Sequence, residues 1–405
     1  MKITILAVGT RGDIQPCVSL AMGLKRLNVK VVLATHSEYQ NLVTSNNIDY
    51  AELPGNPANE WSENNEKFNF SEKMKHYGKK WLNESLEICK DTDAIVYTSL
   101  FFFGNHLAEK LKVPYFLVYF EPNITTAKFP SPYLGTEKTF NGKINKFTHN
   151  FAYYSFWLKI RKTINTLRNE ELDLPPSPFW GYFSQRQRNS IKYLCCFSSN
   201  LVKKPTDWGE NIFLSGYWFL TKEKQIIPDK ELEKFLDTEK PVYFDFGSFS
   251  HEALRSKVRI IIEDLIKSGE KLLIDPGKID ITEYNFSDNT KIINSSIPHE
   301  WILPKVKAII THGGVGAVHA AMKAGTPTIP VTLFPAQYFW GNLVYNLQLG
   351  AKPIRIRNLV AGNILDSIKY IDDNQKIREN LAKISAATSS EKSVDNASRF
   401  ILNNI

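Results

Sequence analysis

The stretch Ala308-Ile309-Ile310-Thr311-His312-Gly313-Gly314-Val315-Gly316-Ala317 decides the fold, because a β-branched run ends in glycines with a helical segment directly behind them. Val318-His319-Ala320-Ala321-Met322-Lys323-Ala324 carries that helix onward. Strand, glycine turn and helix start leave unpaired backbone N–H groups and the positive helix end aimed at one spot. Such a spot suits a phosphate, and His312 at its lip adds a side-chain donor. A ligand-free strand-to-helix turn would use the same glycines, so the stretch alone leaves both readings open.

Outward from that turn the same alternation recurs. Strand-like runs at 242–248, 271–274, 291–294, 328–331 and 352–356 are separated by helix-period segments at 252–268 and 337–349, with helices from 358 to the end. The first third of the chain repeats the pattern, with strands at 2–8, 29–35, 93–98 and 114–120 and helices at 14–24 and 103–111. Strand-helix alternation implies parallel sheets covered by helices on both faces, with ligands at the carboxyl ends of the strands. With 405 residues, two cores are expected rather than one. The predicted class is α/β, two doubly wound Rossmann-like domains facing a central cleft. Residues 1–215 form the first domain, 216–240 a polar linker, 241–385 the second, and 386–405 a helix packing back towards the first.

The turn after the first strand, Gly9-Thr10-Arg11-Gly12-Asp13, lacks the spacing of a dinucleotide fingerprint. Asp13 stands just before the expected helix. As an N-cap it would accept a helix N–H, which lowers its pKa. As a carboxylate on the rim of a ligand crevice it would take a proton from a substrate hydroxyl. Both readings fit its position.

Composition narrows the partners. A charge of +8 favours an anionic ligand or an anionic membrane surface, and the absence of a long Lys/Arg run argues against nucleic acid. The four cysteines, Cys17, Cys89, Cys195 and Cys196, form no C-x-x-C pair, which suits core positions in a reducing, cytoplasmic setting. No signal peptide is read at the N-terminus, and no apolar run approaches a membrane span. Between 101 and 180 aromatic residues crowd the chain. Most belong in a core, but those in Phe120-Glu121-Pro122-Asn123 and Phe129-Pro130-Ser131-Pro132-Tyr133 follow a strand and would wall an apolar pocket for a lipophilic partner. Residues 139–171 read as a helix charged on one side, with Arg161, Lys162, Arg168 and Glu170, as a solvated face or a peripheral membrane contact would require. Asp245-Phe246-Gly247 spells a kinase metal motif without its companions and reads as a strand end. Asp91-Thr92-Asp93 reads as a surface turn, and no metal is expected.

Taken in order, Gly9-Thr10-Arg11-Gly12-Asp13-Ile14-Gln15-Pro16, Pro205-Thr206-Asp207-Trp208, Gly216-Tyr217-Trp218-Phe219-Leu220, Pro298-His299-Glu300-Trp301, His312-Gly313-Gly314-x-Gly316 and Gln337-Tyr338-Phe339-Trp340-Gly341-Asn342 resemble the sterol and antibiotic glycosyltransferases. These are inverting, metal-independent enzymes of the GT-B fold. The resemblance implies a nucleotide-diphosphate sugar of UDP or TDP type as co-substrate, no cofactor, and a lipophilic hydroxylated acceptor such as a sterol or polyphenol. It implies Asp13 as general base. It has Ser248 and the backbone of Gly313, Gly314 and Gly316 hold the diphosphate with His312, the 296–301 turn, with Ser296, Ile297 and His299, hold the nucleotide base, and Gln337 with 340–342 face the sugar; Gly12, Val315, Ala317 and Ala336 count among the donor-binding residues. The acceptor pocket would use Phe102, Phe120, Glu121, Phe129 and Tyr133. Two departures stand out: Ala336 where the family usually has an acid, and Ala317 where it commonly has Thr. One lost charged hydrogen bond costs about 1.5–3 kcal/mol, enough to alter sugar choice. The same departures motivate an alternative, a non-catalytic nucleotide-sugar-binding homologue. An epimerase on this architecture would need no aromatic acceptor stretch.

Overall fold

The computed structural model describes all residues except 56–69, 182–189, 221–229, 247–256, 260, 264, 267–268, 278–280, 282–285 and 294–296. Its contacts divide the chain into two compact units. The first holds Met1–Leu134, Lys138–Thr221 and Lys392–Ile405, and the second holds Gly135–Glu137 and Lys222–Glu391.

The first unit is a seven-stranded sheet, β1 (Lys2–Leu6), β2 (Lys30–Thr35), β3 (Asp49–Glu52), β4 (Ala94–Thr98), β5 (Tyr115–Tyr119), β6 (Lys192–Cys195) and β7 (Ile212–Leu214), in the order 3-2-1-4-5-6-7. Every pairing is parallel. The strands are apolar on both faces because helices cover both, so Ile3, Ile5, Leu6, Ile95, Val96 and Phe116 are buried together. Helix α1 (Arg11–Arg26) follows β1, α2 (Phe70–Ile88) precedes β4, and α3 (Gly104–Leu111) links β4 to β5. Helix α4 (Gly142–Leu172) packs its inner face on α2 and α3.

The second unit repeats the plan. After α5 (Lys230–Thr238), strands β8 (Val242–Asp245), β9 (Leu272–Asp275), β10 (Thr290–Ile292), β11 (Ala308–Thr311), β12 (Thr328–Thr332) and β13 (Ile354–Arg355) run in the order 10-9-8-11-12-13. Helices α6 (Val315–Ala324), α7 (Pro335–Asn346), α8 (Ala361–Asp373) and α9 (Gln375–Ser389) surround it. In both sheets the strand order reverses between two neighbours, β1 with β4 and β8 with β11, and ligands of such sheets gather at that point.

Helix α10 (Ser393–Leu402) belongs to the first unit: Arg26 reaches Asp395 at 2.9 Å, and Phe400 stacks on Phe213 with ring centres 4.5 Å apart. Two boundaries differ from the sequence reading. The stretch expected as linker contains α5, and Tyr217 and Trp218 at its start are buried in the first unit. Gly135–Glu137, inside the sequence of the first unit, is held by the second. Tyr338 donates to Glu137, Lys352 pairs with Glu137 at 3.3 Å, and Arg355 donates to the Gly135 carbonyl at 2.6 Å.

Candidate active site

In the first unit α1 begins at Arg11, with Thr10 as N-cap. Asp13 is therefore the third helical residue, not the cap that local sequence suggests. Its side chain turns back, and Oδ2 accepts from the Thr10 N–H at 2.8 Å and from the Thr10 hydroxyl at 3.0 Å. Gly9 makes the fold-back feasible: at φ +136° it takes a conformation L residues avoid, and a Cβ there would lie 2.4 Å from Oδ2. Burial pushes the Asp13 carboxyl up to about 6, outweighing the lowering effect of the Thr10 bonds. The cap-like contacts thus leave a stronger base than capping alone predicts, because desolvation is the larger effect.

Asp13 shares the carboxyl end of this sheet with groups it influences electrically, among them Glu121 and Tyr133. Burial first, and the Asp13 charge second, push the Glu121 carboxyl up to about 8, so Glu121 is protonated at neutral pH and can donate a hydrogen bond. Tyr133 is half exposed beside it. The other aromatic positions divide. Phe120, directly after β5, is buried, so its ring is not exposed as the sequence reading expected. Phe102 packs on Phe156 at 5.2 Å, and Phe129 lies between His149 and Trp208. Gly12 is exposed in the first turn of α1. Asp207, part of the Pro205–Trp208 motif, holds the loop that follows β5, accepting from Thr126 at 2.7 Å and from the Ala127 N–H at 2.8 Å.

In the second unit β11 delivers His312 and the glycines as expected. Gly314 is the N-cap of α6, and the first bond back to it comes from the Val318 N–H at 3.0 Å. The N–H groups of Val315, Gly316 and Ala317 therefore lie in the orphan first turn. Gly313, at φ +77°, leaves space that a Cβ would fill to within 3.3 Å of the Gln337 carbonyl, so the glycine turn and the start of α7 lie side by side. The His312 ring folds over Gly314, where a Cβ would sit 2.4 Å from Nε2. Burial holds His312 below its ordinary value, with Asp245 opposing and His299 reinforcing, so the ring is neutral and offers one N–H.

Asp245 is the residue that sequence reading passed over. It does end a strand, but β8 aligns it with Asp275 on one side and Thr311 on the other. Its Oδ2 lies 2.6 Å from His299 Nε2, at the start of the short helix His299–Ile302. Asp245, His299 and His312 thus form one polar group at the switch point of this sheet. The available signal was an acid ending an apolar run on the strand that pairs with the one leading into the glycine turn. Ile297 lies just before His299, half-buried. Ser248 and Ser296 lie outside the described residues.

Gln337 uses its side chain locally: Oε1 accepts from the Leu333 and Phe334 N–H groups at 2.8 and 3.0 Å, capping α7. Ala336 is half-buried in the first turn of α7, whereas Ala317 is buried. Trp340, expected to face a sugar, is buried against His319 at 5.1 Å and belongs to the core. Among the described residues no group of three or more His, Cys, Asp or Glu side chains is placed to hold a metal ion. None of the described helices is long and apolar enough to cross a membrane.

Known families and structures match this chain along most of its length. Residues 3–130 match the glycosyltransferase family 28 N-terminal domain, and residues 220–397 match the UDP-glucoronosyl and UDP-glucosyl transferase family. A sterol 3-beta-glucosyltransferase of Komagataella phaffii is 29% identical over 99% of this chain, which spans 34% of that relative's length. The glycotransferase of kitacinnamycin superposes with a TM-score of 0.74 at 14% identity, covering 100% of this chain and 98% of the other. The glycosyltransferase VinC, in complex with DTDP, does so with a TM-score of 0.71 at 13% identity, covering 100% and 99%. The two parallel sheets with their helices are the GT-B fold.

Proposed function

This chain belongs to the glycosyltransferases, and from that premise we propose that it moves a sugar from a UDP- or TDP-type donor to a hydroxyl of a lipophilic acceptor, with inversion. The observation that carries the proposal is Asp13. A carboxyl raised to about 6, turned back over Gly9 at the carboxyl end of β1, is a base matched to neutral pH. It would take the proton of the acceptor hydroxyl as oxygen attacks the sugar carbon. That carbon passes through an oxocarbenium-like state, and one positioned base suffices for attack from the opposite face. The leaving diphosphate gains charge as the bond breaks. The first-turn N–H groups of α6 and the neutral His312 suit that charge, because fixed dipoles need no reorganisation during reaction. The His299–Asp245 pair would hold the nucleotide. Protonated Glu121 and half-exposed Tyr133 would bind the acceptor hydroxyl and its apolar body.

Mixing the protein with UDP- and TDP-sugars and a panel of sterols and polyphenols tests this, with nucleoside diphosphate release as readout. Release that requires both donor and acceptor is the expected result. A folded protein that binds donors in calorimetry yet turns over none of the pairs would refute it.

A further inference from the structure

Helix α4 is apolar on two sides. Its inner side buries Trp157, Ile160, Ile164 and Leu167. A surface helix normally turns polar residues outward, yet the outer side of α4 carries Ile144, Phe147, Phe151, Tyr154 and Leu158 at helical spacing. Phe147 and Phe151 are 64% and 60% exposed and stack on each other. The loop after α4 widens this stripe: Trp180, 60% exposed, packs edge-on against Tyr154, and Arg161 lies 4.6 Å over the Phe179 ring. All of this lies within the first unit.

Charge decides what covers the stripe. From 142 to 169 the chain contains no Asp or Glu but six cations, Lys143, Lys146, Lys159, Arg161, Lys162 and Arg168; the first acid is Glu170. Arg168 is buried and paired with Glu109 at 2.8 Å, and Lys146 pairs with Asp207, so Arg168 is no part of the charged outer face that the sequence suggested. The other four flank the rings. An isologous second copy would bring the same cations of both chains together and repel itself. A bilayer with anionic lipid instead accepts rings at headgroup depth and cations beside phosphates.

We infer that the outer face of α4, with Phe179 and Trp180, docks this protein on the surface of an anionic phospholipid bilayer. The rings enter the headgroup region while Lys143, Lys159, Arg161 and Lys162 contact lipid phosphates. This needs neither donor nor acceptor and stands or falls separately from the transfer reaction.

The test is co-sedimentation of the purified chain with vesicles of phosphatidylcholine, with and without phosphatidylserine. Binding that requires phosphatidylserine, weakens with salt and shifts tryptophan emission to the blue is expected. Phe147→Ser with Phe151→Ser should lower binding at least tenfold, and Lys159→Gln with Lys162→Gln by about 30-fold on anionic vesicles. Both pairs are on the outer face, so circular dichroism and melting should match the parent, as should turnover of a water-soluble acceptor. Equal binding to both vesicle types, or variants that bind like the parent, would overturn the inference. So would a concentration-dependent dimer that the Phe147→Ser, Phe151→Ser pair abolishes.

Discussion

Asp13→Asn should make the protein more stable at neutral pH while it stops turnover. In the unfolded chain the carboxyl titrates near 3.8, and in the fold it is raised to about 6. A raised carboxyl binds its proton more tightly when folded, so its stabilising contribution is present below pH 4 and is lost as pH rises through 6. About two units at 1.36 kcal/mol each is about 3 kcal/mol. Asp13 keeps partial contact with water, which brings the expected gain to about 1–3 kcal/mol. Asparagine retains an oxygen for the Thr10 N–H and cannot ionise. The variant should therefore match the parent at pH 4 and unfold several degrees higher at pH 7.5, as read by thermal denaturation at both values. Meanwhile kcat should fall about 10²–10⁴-fold with donor affinity unchanged. In the parent, kcat/KM should rise with pH through a midpoint near 6. A variant less stable than the parent at pH 7.5, or a stability difference independent of pH, would refute the assignment of Asp13 as a desolvated base and return it to the role of a helix cap.

Glu121→Gln should leave neutral-pH turnover largely intact but remove a decline in kcat/KM above about pH 8, where the parent's Glu121 loses its proton beside ionised Asp13; a pH profile of both proteins checks this. Gly9→Ala should lower kcat at least tenfold and destabilise the fold by about 1–3 kcal/mol, because φ +136° is strained for alanine and the new methyl displaces the carboxylate; kinetics and denaturation read both effects. Gly314→Ala sits at φ −66°, which alanine accepts, so the fold should keep its stability while the methyl pushes His312 aside and weakens UDP binding about tenfold in calorimetry. His299→Ala should strip Asp245 of its 2.6 Å partner and cost about 1–3 kcal/mol in stability together with nucleotide affinity.

Strands such as β1, β2, β4 and β11 were legible because each is a short β-branched run closed by glycine or a polar turn, and strand-helix alternation dictates parallel pairing; β3, with no β-branched residue, and the three-residue β7 were not read from the sequence. The glycine turn was legible for the same local reason. What escaped was set by geometry across many residues. Asp245 and His299 are 54 positions apart and meet only because β8 ends in register with β11. Asp13 looked like a cap because a sequence does not show that Gly9 lets the chain start its helix three residues earlier. Phe120 and Trp340 looked available to ligands because an apolar residue at the end of a doubly covered strand, or on a helix above one, has the same sequence signature whether it faces core or crevice.

The aromatic stretch carries this point into function. High aromatic content from 101 to 180 argues for a core by composition, and half of α4 obeys. The other half places Phe147 and Phe151 in water, where burying each would be worth about 1.5–3 kcal/mol. Folding of this unit leaves that free energy unused. A protein whose proposed acceptor is lipophilic gains from spending time where such acceptors reside, since a surface-bound enzyme meets them at a far higher local concentration than in water. The cations beside the rings and the missing acids from 142 to 169 make an anionic lipid surface the place where both the unused apolar area and the charge are satisfied at once.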